Sequence, residues 1–175
     1  MTEIADFLDL RIAVGDFVGN RTLSSHMARF TKDAERVLSR RLRTGWQIAE
    51  FAPVWTDNEA PLPDDFQEFV CLDNRLSVRG DTLSRHRPYS SPNDLEYYAS
   101  LPTITTGPDG SNWLLDRYPN AYLYAVSIEA AKFMQDIEKG AAASQLLENE
   151  LSGIKIDDER ARYAHHVVRV RGCTP

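Results

Sequence analysis

Apolar positions recur at helical spacing toward both ends of the chain and at shorter, strand-like spacing in the middle. Ile4, Phe7, Leu8, Ile12 and Val14 make a rough helical stripe over residues 2–17, and Thr2 followed by acidic Glu3 is a helix start signal. The stretch "GDFVGN" is expected to break this helix, because two glycines and an asparagine favour turns. Ser24 or Ser25 can cap a second helix. In it Met27, Phe30, Ala34, Val37, Leu38 and Leu42 fall three or four residues apart, the strongest amphipathic pattern in the chain. Arg40, Arg41 and Arg43 in its last turn suit the negative end of the helix dipole, and Gly45 closes it.

From Trp46 the texture changes. "WQIAEFAPVW" is rich in β-formers, and "APLPDDF" is a loop held by Pro61 and Pro63. "FVCLDNRLSV" predicts a hairpin with Asp73-Asn74 as its turn. "HRPYSSPND" is loop, "DLEYYASL" a short helix, and "TITTGPDGSN" strand-like, then turn.

Helical signals return at "NWLLDRYPNAYLYAVSIEAAKFM". Asn112 can cap a short helix over Trp113–Arg117, and Pro119 fits the first turn of the next, where its missing N–H costs nothing. Leu123, Val126, Ala130, Phe133 and Ile137 make one face, widened by Tyr122, Ala125 and Ile128. A helix apolar over most of its circumference is surrounded by other elements, so this one is expected at the centre of the core. Residues 141–151 favour a last helix, with Leu146, Leu147, Leu151 and Ile154 on one side and a continuation through "DDERARYA" past Gly153. At the end, "HHVVRVRGCTP" alternates, with Val168 and Val170 on one face and Arg169 and Arg171 on the other. The pattern predicts a mainly α fold: an antiparallel helical bundle (residues 1–45 and 111–159), a small β-rich insertion (46–110) and an extended C-terminal arm (160–175).

Composition narrows the function. A length of 175 residues supports one domain with a real core. A net charge of -6 argues against a protein whose main task is gripping a phosphate backbone. Charge is unevenly placed: residues 47–100 hold ten Asp and Glu against four Arg, whereas residues 160–175 hold four Arg and no acid. Such a two-ended surface suits head-to-tail association, which closes into a ring if the rotation permits. Cys71 and Cys173 lie far apart, so neither a disulfide framework nor a zinc site is expected. No run reaches membrane-spanning length, and the start is not a signal peptide. Folding in a reducing cytoplasm, with no membrane contact, is the expectation.

Catalytic chemistry finds little footing. The nine glycines form neither G-x-G-x-x-G nor a P-loop, and there is no G-x-S-x-G elbow. His165 and His166 are neighbours on a strand and point to opposite faces, which suits a surface better than a metal. His26 has no evident acidic partner. Asp64-Asp65 and Asp157–Glu159 are adjacent carboxylates, which read as caps and solvated charge rather than an acid–base pair facing one site. The aromatics Trp46, Trp55, Tyr97 and Tyr98 are expected to pack the insertion rather than stack a sugar or base. The basic turn of Arg36, Arg40, Arg41 and Arg43 suits a subunit salt bridge better than DNA, given the acidic chain. No catalytic, cofactor-binding or metal residue is assigned. The alternative is a carbohydrate-active or other small hydrolase using Asp64, Asp65 or Glu68; a DNA-binding helical regulator is a third reading. The final strand still needs a partner for its backbone groups. That partner is either the strand near Trp46–Trp55 or a sheet edge on another protein.

The order of these segments resembles bacteriophage head–tail adaptor (connector) proteins of short-tailed phages and gene-transfer-agent-like particles. The helical start, "LPDDFQE", then "NWLLDRYPNAYLYAVSIEAAKFMQD" and an alanine-rich last helix carry the resemblance, most strongly over residues 112–163. The resemblance implies a structural virion protein and no enzyme. It implies a homo-oligomeric ring of twelve copies beneath the portal protein, extending the DNA channel at the head–tail junction of a virion assembled in the host cytoplasm. It favours the intermolecular option for the arm, with Val167, Val168, Arg169, Val170 and Arg171 binding the portal. Arg36, Arg40, Arg41 and Arg43 would then lie at subunit interfaces, and Asp64, Asp65, Asp73, Asn74 and Arg75 would face the tail or nozzle protein. DNA would be passing cargo only, and a mildly repulsive wall would let the duplex slide.

Overall fold

A computed structural model describes residues 4–86, 95–107 and 109–163. Asp6 starts the first helix, α1 (Phe7–Val18): its Oδ1 accepts the N–H groups of Leu8 at 2.8 Å and Asp9 at 2.9 Å. The expected break at "GDFVGN" comes late. The helix runs through Gly15 and stops at Gly19, whose φ of 73° only glycine adopts readily. One internal glycine costs about 1 kcal/mol, and burial of Leu10, Val14 and Val18 on the same helix offsets it.

The chain then turns through a 3₁₀ stretch, Arg21–His26, capped by the Asn20 side chain, and enters α2 (Met27–Arg41) directly. Ser24 and Ser25 therefore lie inside helical structure, and α2 has no side-chain cap. α3 (Trp113–Arg117) is capped by Asn112, and α4 (Pro119–Met134) begins on its proline, both as the sequence predicts. α4 ends at Gln135 in the left-handed region, φ 59°. α5 (Ile137–Tyr163) is unbroken across Gly153, so Arg160 and Arg162 stand on helix.

The expected helical bundle is corrected. Of the described residues, 55% are helical and 17% are strand, and the strands form two small antiparallel sheets beside the helices. The chain is a mixture of helices and sheets. The first sheet has the order β1-β6-β3, from β1 (Ile48–Phe51), β6 (Leu95–Ala99) and β3 (Phe66–Phe69). The second has the order β2-β5-β4, from β2 (Glu59–Pro61), β5 (Thr82–Arg85) and β4 (Leu76–Arg79).

Two readings of the middle of the chain change accordingly. "DLEYYASL" holds the central strand of the first sheet, not a helix: Leu95 and Tyr97 alternate inward while Glu96 points out. "FVCLDNRLSV" is not a hairpin, because its two halves enter different sheets. Asp73 does make a turn, accepting the Arg75 N–H on its side chain at 2.9 Å, but the turn passes the chain from sheet to sheet. The real hairpins lie elsewhere. β4 and β5 pair around Gly80, φ 57°, and Thr56 and Glu59 exchange two backbone bonds around Asp57 and Asn58, both with positive φ. "TITTGPDG" forms no strand among its described residues.

Two apolar clusters result. One gathers the helices with Leu101 and Ile104 around the buried Tyr122, Leu10, Val14, Leu114, Leu115 and Val126. The other joins Phe69, Leu95 and Tyr97 of the first sheet to Leu76 and Leu83 of the second. The opening stretch of α4 is core from Ala121 to Ala131, as its pattern predicts. Phe133 and Ile137 are exposed instead, since the helix axis is interrupted between them.

Candidate assembly surfaces

Buried polar groups fix the helices to the segment that precedes α3. Glu35 sits on the apolar side of α2 and accepts the Ile104 N–H at 2.7 Å and the Tyr122 hydroxyl at 3.3 Å. Ser39, one turn on, accepts the Leu101 N–H at 2.9 Å. Asn112 caps α3 with its carbonyl and donates its amide to Pro102 O at 2.7 Å and the Tyr122 hydroxyl at 2.6 Å. Burial pushes the Glu35 carboxyl up and the Tyr122 hydroxyl well above its usual range, the latter reinforced by the facing Glu35 charge. An acid inside an otherwise apolar stripe was the available signal for this network, and hydrophobic spacing alone passes over it.

A second junction joins the end of α5 to the end of α2 and to the first sheet. Asp158 accepts the Gly45 N–H at 2.6 Å and pairs with Arg162 at 2.7 Å. Arg162 donates to the Tyr98 hydroxyl and the Arg43 carbonyl, both at 3.4 Å. Arg43 bonds Ser39 O at 2.8 Å and pairs with Glu68 at 3.0 Å. This junction holds the Asp158–Arg162 turn of α5 against the end of α2 and the first sheet. Spacing cannot reveal it, because its α5 members lie more than sixty positions from the Gly45, Arg43 and Tyr98 groups they bind.

The sequence-derived residues are dispersed. Arg41 pairs with Glu148 of α5, and Arg43 is engaged as above, whereas Arg36 and Arg40 face outward from α2. Among the described residues Arg36 pairs only with its neighbour Asp33, at 3.1 Å. Asp65 accepts the Tyr97 hydroxyl at 2.9 Å; burial first and this carboxylate second push the Tyr97 phenol up to about 12. Glu68 is paired with Arg43, and Asp64 lines a small surface hollow with Leu62, Pro63, Phe66 and Asp81. Asp73 and Arg75 lie 3.8 Å apart beside Asn74 in the turn between sheets. The aromatics do not form a platform: Tyr97 is core, Trp46 lies under Arg117 at 3.8 Å and Trp55 under Arg85 at 4.8 Å. Val167, Val168, Arg169, Val170 and Arg171 lie outside the described residues, as do His165, His166 and Cys173. Among the described residues, no group of three or more His, Cys, Asp or Glu could hold a metal ion, and no helix is long and apolar enough to cross a membrane.

Among the described residues, most of these charged groups tie one element to another or face outward, an arrangement suited to a scaffold that meets other chains. The model of the SU10 adaptor protein family matches residues 88–171, which takes in β6, α3, α4 and α5. The match supports the phage head–tail adaptor resemblance read from the same stretch, and it suggests a structural component of a phage virion rather than an enzyme. It also implies contact with phage portal or tail components. No curated protein matches the chain.

Proposed function

We propose that the chain is the subunit of a ring beneath the phage portal, expected to hold twelve copies. The ring continues the DNA channel and carries the tail or nozzle. Its C-terminal arm adds Val167–Arg171 as a strand to a sheet edge of the portal protein, satisfying backbone groups that an isolated strand leaves open. Asp64, Asp65, Asp73, Asn74 and Arg75, on the sheet side of the molecule, face the tail. The observation that carries this reading is the extent of the family match: it runs the length of α5 and on to residue 171, through the arm itself. The Asp158–Arg162–Tyr98 junction supports it by giving the arm a fixed root.

Deletion of residues 164–175 tests the role of the arm. The shortened chain is expected to keep its helical circular dichroism and its own self-association but to stop co-sedimenting with the portal protein. Portal binding undiminished by the deletion would reject the arm as the attachment.

A further inference from the structure

We propose that the outer face of the first sheet docks onto the basic face of α2 in a second copy of this chain. The proposal rests on the ring reading and names the surfaces that would build it.

On the sheet, Glu50 of β1 and Glu96 of β6 are direct cross-strand partners, and both side chains are exposed. Among the described residues neither carboxylate has a hydrogen-bond or ion-pair partner. Side chains directly opposite on antiparallel strands lie about 5 Å apart, where like charges destabilise the pair. The same face continues through Ile48 and the exposed Val70, whose N–H bonds to Glu96 O at 2.9 Å. The other face of these strands, Ala49, Phe51, Leu95 and Tyr97, packs the second apolar cluster; on the outer face Arg43 and Arg162 engage Glu68 and Tyr98 at one end, and the Glu50–Glu96 end is the part left open.

On α2, Arg29, Arg36 and Arg40 stand at i, i+7 and i+11, which places them along one side of the helix with Lys32 beside them. All four are exposed. The one acid in this row, Asp33, is shared between Arg29 at 3.9 Å and Arg36 at 3.1 Å. The opposite side of α2, through Met27, Phe30, Ala34 and Leu38, is buried in the helical core.

The Glu50–Glu96 pair and the row of basic residues on α2 thus each carry like charge that repels itself and that the other would neutralise. Paired carboxylates suit guanidinium forks, and the long Arg stems can cover Ile48 and Val70. Because the two faces are different patches of one chain, the contact is head to tail and leaves a free acidic face and a free basic face at its ends. That geometry propagates and closes into a ring when the rotation allows.

The test is sedimentation velocity of the full chain at about 50 mM salt, where exposed charges are weakly screened. Glu96→Lys and Arg36→Glu are each expected to weaken self-association by about tenfold or more, and the double variant to recover it. Glu96→Lys also sets a lysine opposite Glu50, so its thermal midpoint should not fall, which separates lost docking from misfolding. Association untouched by a single reversal, a double variant that does not recover, or a wild-type chain that stays monomeric would overturn the interface. Incorporation into portal-bearing particles is scored separately. Reversal-sensitive association without incorporation leaves the interface standing and overturns the adaptor role. Incorporation indifferent to both reversals does the opposite.

Discussion

Glu35 is a carboxylic acid held in an apolar environment. Its carboxyl is buried among Ile104, Tyr122 and the α2 stripe, and burial holds its titration above its usual value of 4.5. Among the described residues one of its oxygens has no partner, so ionisation in place is penalised. The linkage has a definite sign. A carboxyl raised in the folded state contributes stability that is fully present below its unfolded value, and this is lost as pH rises through the folded value. Glu35→Gln keeps the shape and cannot ionise. Urea denaturation at several pH values should therefore show the variant gaining on the wild type as pH rises from 4.5 toward neutrality. A difference that stays flat or runs the other way would contradict the buried-carboxyl assignment. Gly110 shows the same dependence on local context: a methyl there would overlap the Thr105 carbonyl, so only glycine closes the turn that hands its carbonyl to the Phe7 N–H.

At the scale of elements, the junction between α5, α2 and the first sheet is the feature most open to test. Asp158→Ala removes the acceptor of the Gly45 N–H and the partner of Arg162 together. The expected cost is about 1–2 kcal/mol, with faster hydrogen exchange at Gly45 and in the last turns of α5 and none at the β4–β5 hairpin. Unchanged exchange at Gly45 would mean the junction is not held this way. The helices were largely legible because periodicity, caps and a proline at a first turn are local signals, as at Asn112 and Pro119. The sheets were not. β6 reads as "LEYYA" between loop signals, and only its place between β1 and β3 makes it a strand, since pairing partners lie tens of residues away. The Asp73-Asn74 turn was visible, but a turn does not say which strands it joins. The 3₁₀ stretch before α2 hid its start behind two serines that resemble caps. Of the candidate surfaces, the outward Arg36 and Arg40 follow from spacing on α2, whereas the inward engagement of Arg41 and Arg43 depends on Glu148 and Glu68 arriving from other elements.

At the scale of the whole molecule, the family match and the arrangement of charge point the same way. The matched residues 88–171 contain the long helix and the basic terminal segment, while the acidic sheet face and the basic α2 face offer two different surfaces for neighbours. The central claim is that this chain links a portal to the rest of a tail through its C-terminal arm. The structure of the chain bound to its portal, determined by electron cryomicroscopy of purified particles, addresses it most directly. The account predicts Val167–Arg171 hydrogen-bonded as a strand to a portal subunit. Finding that segment paired with its own subunit's β1, or touching no portal residue, would contradict it.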